Sequence, residues 1–416
     1  MTAFSACRAV ITGIGCVCPL GVGGHDFVAH VLRAQRSAIG PVTSFSTDGL
    51  RCRLGAEVPD AYLPDTEETR RWSRLSRMTV TACREAVADA VLQESTTLPQ
   101  CGLVVGTEFG DLRSSEAFVL GFLRKGPLGL SPLLFPNTVM NAMAGATSIA
   151  LGLKGPMLTL NQPGVGGEVA VARAVALLRA GRAPAVIACG VDELFPMLYE
   201  TLIAFNVPSP HDDGEEACRP FDERHNGPVL GEGATAVVLE SAEHAQKRGA
   251  RILAEVHSAT WSTLPTRAHR YPSASVLGRR LLERAVVEAT QQAHAVQVAY
   301  LSGSGHPQHD ISELEILAAT FDTTRPLVTS VTHLMGDYGG LGVFRLAAAT
   351  ATLTHAVVPR LDYLHQPIRR DIPFVMADTP QIPPGTILVH GLARGGTQAA
   401  IVIGPPGQYA NPRKGS

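Results

Sequence analysis

The feature that most restricts the folds open to this chain is a repeated alternation of short, wholly apolar runs with Ala-rich helical stretches. Residues 72–93 read as a helix and lead into C-G-L-V-V-G-T, a short buried strand. Residues 165–180 read as an Ala/Val-rich helix with Glu168 near its positive end and Gly181 as its stop. A strand at 185–189 follows at once. A second series starts near Ile252: a helix from about 275 to 295, the strand V-A-Y-L-S-G, a helix from about 312 to 319, and the closing strands T-I-L-V-H and A-A-I-V-I-G. Such alternation is the pattern of layered α/β folds, in which helices cover the faces of a sheet.

At 416 residues the chain can bury one large core or two fused ones, and 45% apolar against 17% charged residues suits heavy burial. A formal charge of −2 supplies no electrostatic reason to bind nucleic acid or an anionic membrane. No stretch approaches the roughly 20 apolar residues of a membrane span. The N-terminus lacks a basic segment followed by a long apolar one, so no export signal is read and a cytoplasmic location is expected. Eight cysteines without a C-x-x-C pair fit reduced thiols rather than disulfides or zinc. Cys218, beside R-P-F-D, is the one cysteine considered as a nucleophile, and no base accompanies it in the sequence.

Several motifs carry more information than composition does. Residues 152–156 read G-L-K-G-P, and Q-P-G-V-G-G follows at 162–167. Residues 301–310 read L-S-G-S-G-H-P-Q-H-D, and residues 330–340 read S-V-T-H-L-M-G-D-Y-G-G. V-I-T-G-I-G near Val10, S-P-L-L-F-P-N-T from Ser131, R-P-F-D-E-R-H-N-G-P from Arg219 and G-L-A-R-G-G-T near Gly391 complete the set. In this order they resemble the β-ketoacyl synthase family over nearly the whole chain. The resemblance implies the α/β thiolase fold, two similar βαβ-rich halves in a five-layered αβαβα sandwich. The halves are expected at 1–250 and 251–405, with a loose tail at 406–416.

Condensing members of that family carry a cysteine eight positions after the proline of G-L-K-G-P, on a turn where a helix N-terminus stabilises the thiolate. Here that position is Gly164. The register holds from the other side too, because A-P-A-V-I-A-C-G-V-D follows Gly181 without a gap. The two histidines and the lysine of the family's site are replaced by Ser302, Asp337 and Thr332, although Ser304, Pro307 and Asp310 keep their loop pattern. Glycine cannot attack a thioester, and a carboxylate at 337 would repel the charge that develops on an enolate. No catalytic residue for condensation is expected, and the chain alone should show no ketosynthase activity.

The family contains a subunit that lacks the cysteine, the chain length factor or ketosynthase beta. It pairs with an active ketosynthase alpha subunit and shapes the tunnel in which a polyketide grows on acyl carrier protein. The resemblance therefore implies a heterodimer, a carrier-protein partner, no resident cofactor beyond the carrier's phosphopantetheine, and no metal. In G-T-E-F-G-D-L-R-S-S-E-A-F, residues 106–118, Phe109, Leu112 and Glu116 share a face if the stretch is helical, with Phe118 and Phe122 beside it. These are the expected tunnel residues. Many chain length factors place glutamine at the cysteine position, whereas Gln162 sits two residues early. That departure favours a divergent system building reduced or polyene chains.

Other features have plain readings. His306, His309 and Asp310 fall on the loop motif rather than forming a metal cluster, and G-I-G-C-V-C-P-L-G has the wrong spacing for a dinucleotide loop. Arg219 and Asp222 read as a salt-bridged loop, and Gly395, Gly396 and Thr397 as a site of close backbone packing. Two alternatives stay open: an enzyme that reuses the cavity for lyase or cyclase chemistry with Asp337, Tyr338 and His306, and a homodimeric acyl-binding scaffold.

Overall fold

The computed structural model describes residues 7–407 except 213, 274–275, 291–294, 323 and 380–384. Most of the segment expected as a tail lies outside the described residues. The first half contributes β1 (Ala9–Cys18), β2 (Gly102–Thr107), β3 (Met157–Asn161), β4 (Ala185–Asp192) and β5 (Gly233–Ser241). The second contributes β6 (Ala254–Thr263), β7 (Val296–Tyr300), β8 (Leu327–Thr329), β9 (Thr386–Leu392) and β10 (Thr397–Gly404). The helices that matter for the site are α1 (His25–Ala34), α2 (Arg74–Asp89), α3 (Leu112–Lys125), α4 (Ala142–Leu151), α5 (Gly166–Arg179), α6 (Val276–Thr290), α7 (Pro307–Thr320) and α8 (Leu341–His355).

The two halves repeat one topology. Strand order is β1-β5-β4-β2-β3 in the first half and β6-β10-β9-β7-β8 in the second. In each, the first two steps are antiparallel and the last two parallel. A short antiparallel seam, Ala9 to Ile11 against Val256 to Ala254, joins the halves into one eleven-stranded sheet that includes a small Gly21–Gly24 arm on β1. One apolar core packs α2 and α4 on the outer face of the first half, and another packs α6 and α7 on the outer face of the second. The largest core holds α5 and α8 between the halves. This is the expected five-layered thiolase fold. No helix among the described residues is long and apolar enough to cross a membrane.

Local chemistry sets the helix starts. Ser73 caps α2 by accepting the Ser76 N–H at 3.2 Å, so the helix begins at Arg74. Pro307 occupies the first turn of α7, where its fixed φ suits a helix and its missing N–H costs nothing; α7 therefore starts five residues before the expected 312. Helix α8, which periodicity does not reveal, is buried along all but its last two residues. A helix sandwiched between two sheets has no solvent face, so it carries no amphipathic signature.

The two central helices are tied by a buried ion pair. Arg345 on α8 donates to Glu168 on α5, and both side chains are almost completely buried. The helices approach closely enough that a Cβ on Gly342 would sit 1.8 Å from the Glu168 carboxylate. A side chain at 342 would have to displace that carboxylate from Arg345.

Candidate functional site

The turn between β3 and α5 carries Gly164 at φ +62°, a left-handed backbone next to the N-terminal end of α5. A Cβ there would meet the Ala393 methyl at 3.3 Å, so a small side chain has space but the φ is costly, about 1–2 kcal/mol for a non-glycine residue. The helix end that would favour an anion is already served. The Gly164 N–H donates to Glu108 Oε2 at 2.8 Å, and the other oxygen of that carboxylate accepts from Arg394. Sequence reasoning missed this pair. The available signal was a charged residue inside each of two glycine-rich loops, G-T-E-F-G and A-R-G-G-T.

Asp192, at the end of β4, holds the loop that presents Glu108 and Phe109. It accepts from the Thr107 hydroxyl at 2.7 Å and from the Glu108 and Phe109 N–H groups at 2.9 and 3.1 Å. Burial pushes the Asp192 carboxyl up to about 7, because desolvation outweighs those three donors.

Gly164, Ser302 and Asp337 line one cavity of about 80 Å³, together with Phe109, Tyr271, His306, His309 and Tyr338. Thr332 is not a wall. Its hydroxyl donates to the Ser302 carbonyl at 2.7 Å from behind, fixing the Ser302 loop. The structure thus gathers the positions inferred for the thiol and the two imidazoles, and the position inferred for the lysine supports them.

Ser302 is bound into a polar network. Its hydroxyl donates to Glu313 Oε1 at 2.6 Å and accepts the Leu392 N–H at 3.2 Å. Burial disfavours the Glu313 carboxylate, but hydrogen bonding from His390 and the His309 charge more than offset this and hold the acid at about 2. His309 brings Nε2 within 3.1 Å of the Ser302 hydroxyl, and its Nδ1 lies 3.2 Å from Asp310 Oδ1. This is not a nucleophilic triad. The hydroxyl proton points to Glu313, and the His309 Nε2–H donates to the Leu392 carbonyl at 3.0 Å. Burial works against a charged His309 ring, yet the Asp310 hydrogen bond and the Glu313 charge prevail and raise its pKa.

Asp337 differs from these groups, since no hydrogen bond to its side chain is made among the described residues. Burial pushes its carboxyl up to about 6, with the His309 charge opposing. A native pKa raised from 3.8 means that the folded chain holds the proton longer than the unfolded one, so stability falls as pH rises through this window. The cost is absent below about pH 4 and complete above about pH 7. Asp337→Asn is expected to unfold like the native chain at the acid end and to gain about 1–2 kcal/mol over it at pH 8, after allowing for solvent in the cavity. Urea midpoints of both proteins across that range check the sign; a gain that shrank on raising pH would contradict it.

The expected tunnel face takes a different form. Gly110, at φ +65°, breaks the backbone, and the Asp111 carboxylate caps α3 by accepting the Ser114 N–H at 2.9 Å. Phe109 therefore precedes the helix and lines the cavity, whereas Leu112, Glu116 and Phe118 lie on α3 and are not among the cavity walls. The Phe118 ring packs against Phe135 at 5.9 Å, and Phe122 is exposed. Gln162 does not replace a side chain at 164, because its amide donates to the Thr397 hydroxyl at 3.0 Å.

Four further expectations are corrected or placed. Arg219 and Asp222 do not pair: Arg219 pairs with Glu215, and Asp222 binds Arg224 at 2.7 Å. Asp310 accepts the Phe221, Ser304 and Gly305 N–H groups, so the His306–Asp310 segment is a loop support, and it forms no metal cluster among the described residues. Burial and the charges of Asp337 and Asp310 push the Cys218 thiol well up, the opposite of an activated nucleophile. At Gly396, φ is +90° and a Cβ would lie 2.2 Å from the Leu264 carbonyl, which accounts for the glycine there.

The family model described as Beta-ketoacyl synthase, N-terminal domain, matches residues 7–245, and Beta-ketoacyl synthase, C-terminal domain, matches 253–364. A relative from Streptomyces violaceoruber, named for granaticin polyketide β-ketoacyl synthase 1, is 31% identical over 97% of this chain and 99% of its own. The 3-oxoacyl-[acyl-carrier-protein] synthase 2 of Staphylococcus aureus (strain COL) is 30% identical over 85% of this chain and 89% of its own. Among solved structures, the ishigamide ketosynthase/chain length factor superposes with a TM-score of 0.87 at 23% identity, covering 97% of this chain and 100% of that one. A type II acyl-carrier protein in complex with its ketosynthase bound to the hexaketide gives 0.86 at 19% identity, with coverage of 97% and 100%. The repeated topology, the convergence of three motif positions on one cavity and the two matched halves together establish that this chain belongs to the β-ketoacyl synthase family.

Proposed function

We propose that this chain is the chain length factor of a type II polyketide synthase: a partner that does not condense, pairs with an active ketosynthase and bounds the space in which its product grows. The observation that carries the reading is an unpartnered apolar face beside a cavity without a nucleophile. Strand β3 is a sheet edge with Met157 and Leu158 exposed. Helix α3 and the loops after it expose Val119, Phe122, Leu123, Leu128 and Leu133, so most exposed large apolar side chains fall between Val119 and Leu158. A contiguous face of this kind, ending in an open strand edge, is suited to a second folded subunit. The fold shared with a ketosynthase/chain length factor supports a ketosynthase-like partner, and the fold shared with a carrier protein's ketosynthase supports acyl carrier protein as the source of the growing chain.

A self-contained enzyme is less well supported. Asp337, Tyr338 and His306 do share the cavity, but its 80 Å³ is far below the roughly 300–1,000 Å³ of a site for a small organic ligand. On the proposed reading, an acyl chain passes along Phe109 and the α3 face between the subunits, where Leu112, Glu116 and Phe118 limit its length.

Coexpression with a ketosynthase that retains its cysteine tests the reading. A stoichiometric complex that elongates malonyl units on acyl carrier protein is expected, and the chain alone should be inert. Phe109→Ala in that complex should move the product distribution toward longer chains by about tenfold in the ratio of adjacent lengths, read by mass spectrometry of released products. Acylation of the isolated chain followed by malonyl extension would refute the proposal. A stable homodimer holding acyl chains would instead support the scaffold reading.

A further inference from the structure

We propose that His25, Asp26 and His355 form a binding site for one divalent transition-metal ion of the zinc class, where the start of α1 meets the end of α8. None of the three lines the Gly164 cavity. His25 Nδ1, Asp26 Oδ1 and His355 Nε2 lie within 4.8 Å of one another. The carboxylate oxygen is 3.4 Å from His25 Nδ1 and 3.3 Å from His355 Nε2. Both contacts are within ion-pair distance but neither has good hydrogen-bond geometry, and both ring nitrogens are buried. Buried polar atoms left in that state cost about 1–3 kcal/mol each and require an explanation. A tetrahedral ion with bonds of about 2.0–2.1 Å sets its ligands roughly 3.3–3.4 Å apart, which is the spacing of the Asp26 oxygen from each ring nitrogen, and the two nitrogens lie within 4.8 Å of each other.

The surroundings prepare His25 as a ligand. Its side chain is only 2% exposed, and the lone nitrogen faces Asp26 and His355. The Thr354 hydroxyl lies 2.7 Å from His25 Nε2, and by donating to the Thr350 carbonyl at 3.1 Å it is able to accept that ring's N–H. With the ring proton on Nε2 the lone pair sits on Nδ1, the arrangement that outer hydrogen bonds impose on metal-binding histidines. His355 is less ready. The Arg33 guanidinium, which can only donate, sits 3.2 Å from His355 Nδ1, so binding requires the ring proton to move to Nδ1 and Arg33 to swing outward. Arg33 is exposed near the end of α1 and has room to do so. Arg251, the other nearby cation, is engaged by Asp89 at 2.7 Å. Two imidazoles and one carboxylate suit Zn2+, Co2+ or Ni2+ rather than Mg2+ or Ca2+, which favour all-oxygen sites. The remaining coordination position falls to water beside the exposed Asp26.

The test uses the full chain, stripped by chelator and titrated with Zn2+ by calorimetry and with Co2+ by visible absorption. One equivalent should bind, the Co2+ form should show the strong visible band of a four-coordinate site, and Zn2+ should raise the unfolding midpoint. Asp26→Asn, at a side chain 78% exposed and so harmless to folding, and His355→Gln should each weaken binding by at least about tenfold. Saturable binding absent below about 1 mM, or undiminished in both variants, would overturn the site.

Discussion

Replacing Glu168 by alanine is expected to lower the free energy of unfolding by about 3–5 kcal/mol, the largest loss from any single substitution considered for this chain. The reason lies in the central layer. Glu168 on α5 and Arg345 on α8 are buried between the two halves, and removing the carboxylate leaves a guanidinium that cannot reach water. Glu313 and Asp337 also attract that guanidinium, but neither is hydrogen-bonded to it. A charge so placed can neither relax toward solvent nor give up its proton, since arginine stays protonated in proteins. Denaturant titrations of native and variant chains in the same assembly state measure the loss. The double variant Glu168→Leu, Arg345→Met removes both charges and should recover most of it, because an apolar pair has no desolvation cost. A loss below about 1 kcal/mol in the single variant would show that water or another anion reaches Arg345.

The second large effect concerns association. Leu123→Asp places a charge at the centre of the apolar face on α3, where the native side chain is 70% exposed in the single chain. The folded chain should be unaffected, since the position touches no core. Affinity for the proposed ketosynthase partner should drop by at least about 30-fold, corresponding to a hot-spot loss of about 2 kcal/mol or more. Elongation by the pair should fall with it. Circular dichroism of the variant alone, sedimentation of the mixture and malonyl consumption separate these outcomes. Unchanged sedimentation and activity would mean that this face does not meet the partner.

The two predictions rest on different kinds of information. Apolar runs bounded by glycine, such as A-V-I-A-C-G-V-D after Gly181, announced buried strands because burial on both faces demands uninterrupted apolar residues. The motifs in series placed Gly164, Ser302 and Asp337, and those three share one cavity wall. Helix α8 stayed hidden for the opposite reason: burial on every side erases the periodicity by which a helix is recognised. The expectation for Phe109, Leu112 and Glu116 assumed a continuous helix, and one left-handed glycine at 110 separated the first from the others.

By itself, the sequence determined the layered α/β class and the family, since these depend on residue type and on spacing along the chain. Only the tertiary structure decided which groups meet at the cavity. Glu108 and Arg394 are far apart in sequence and meet only because two repeated halves close on a shared central layer. Desolvation, which lifts Asp337 to about 6 and commits Arg345 to Glu168, is likewise a property of enclosure that no local stretch of residues can encode.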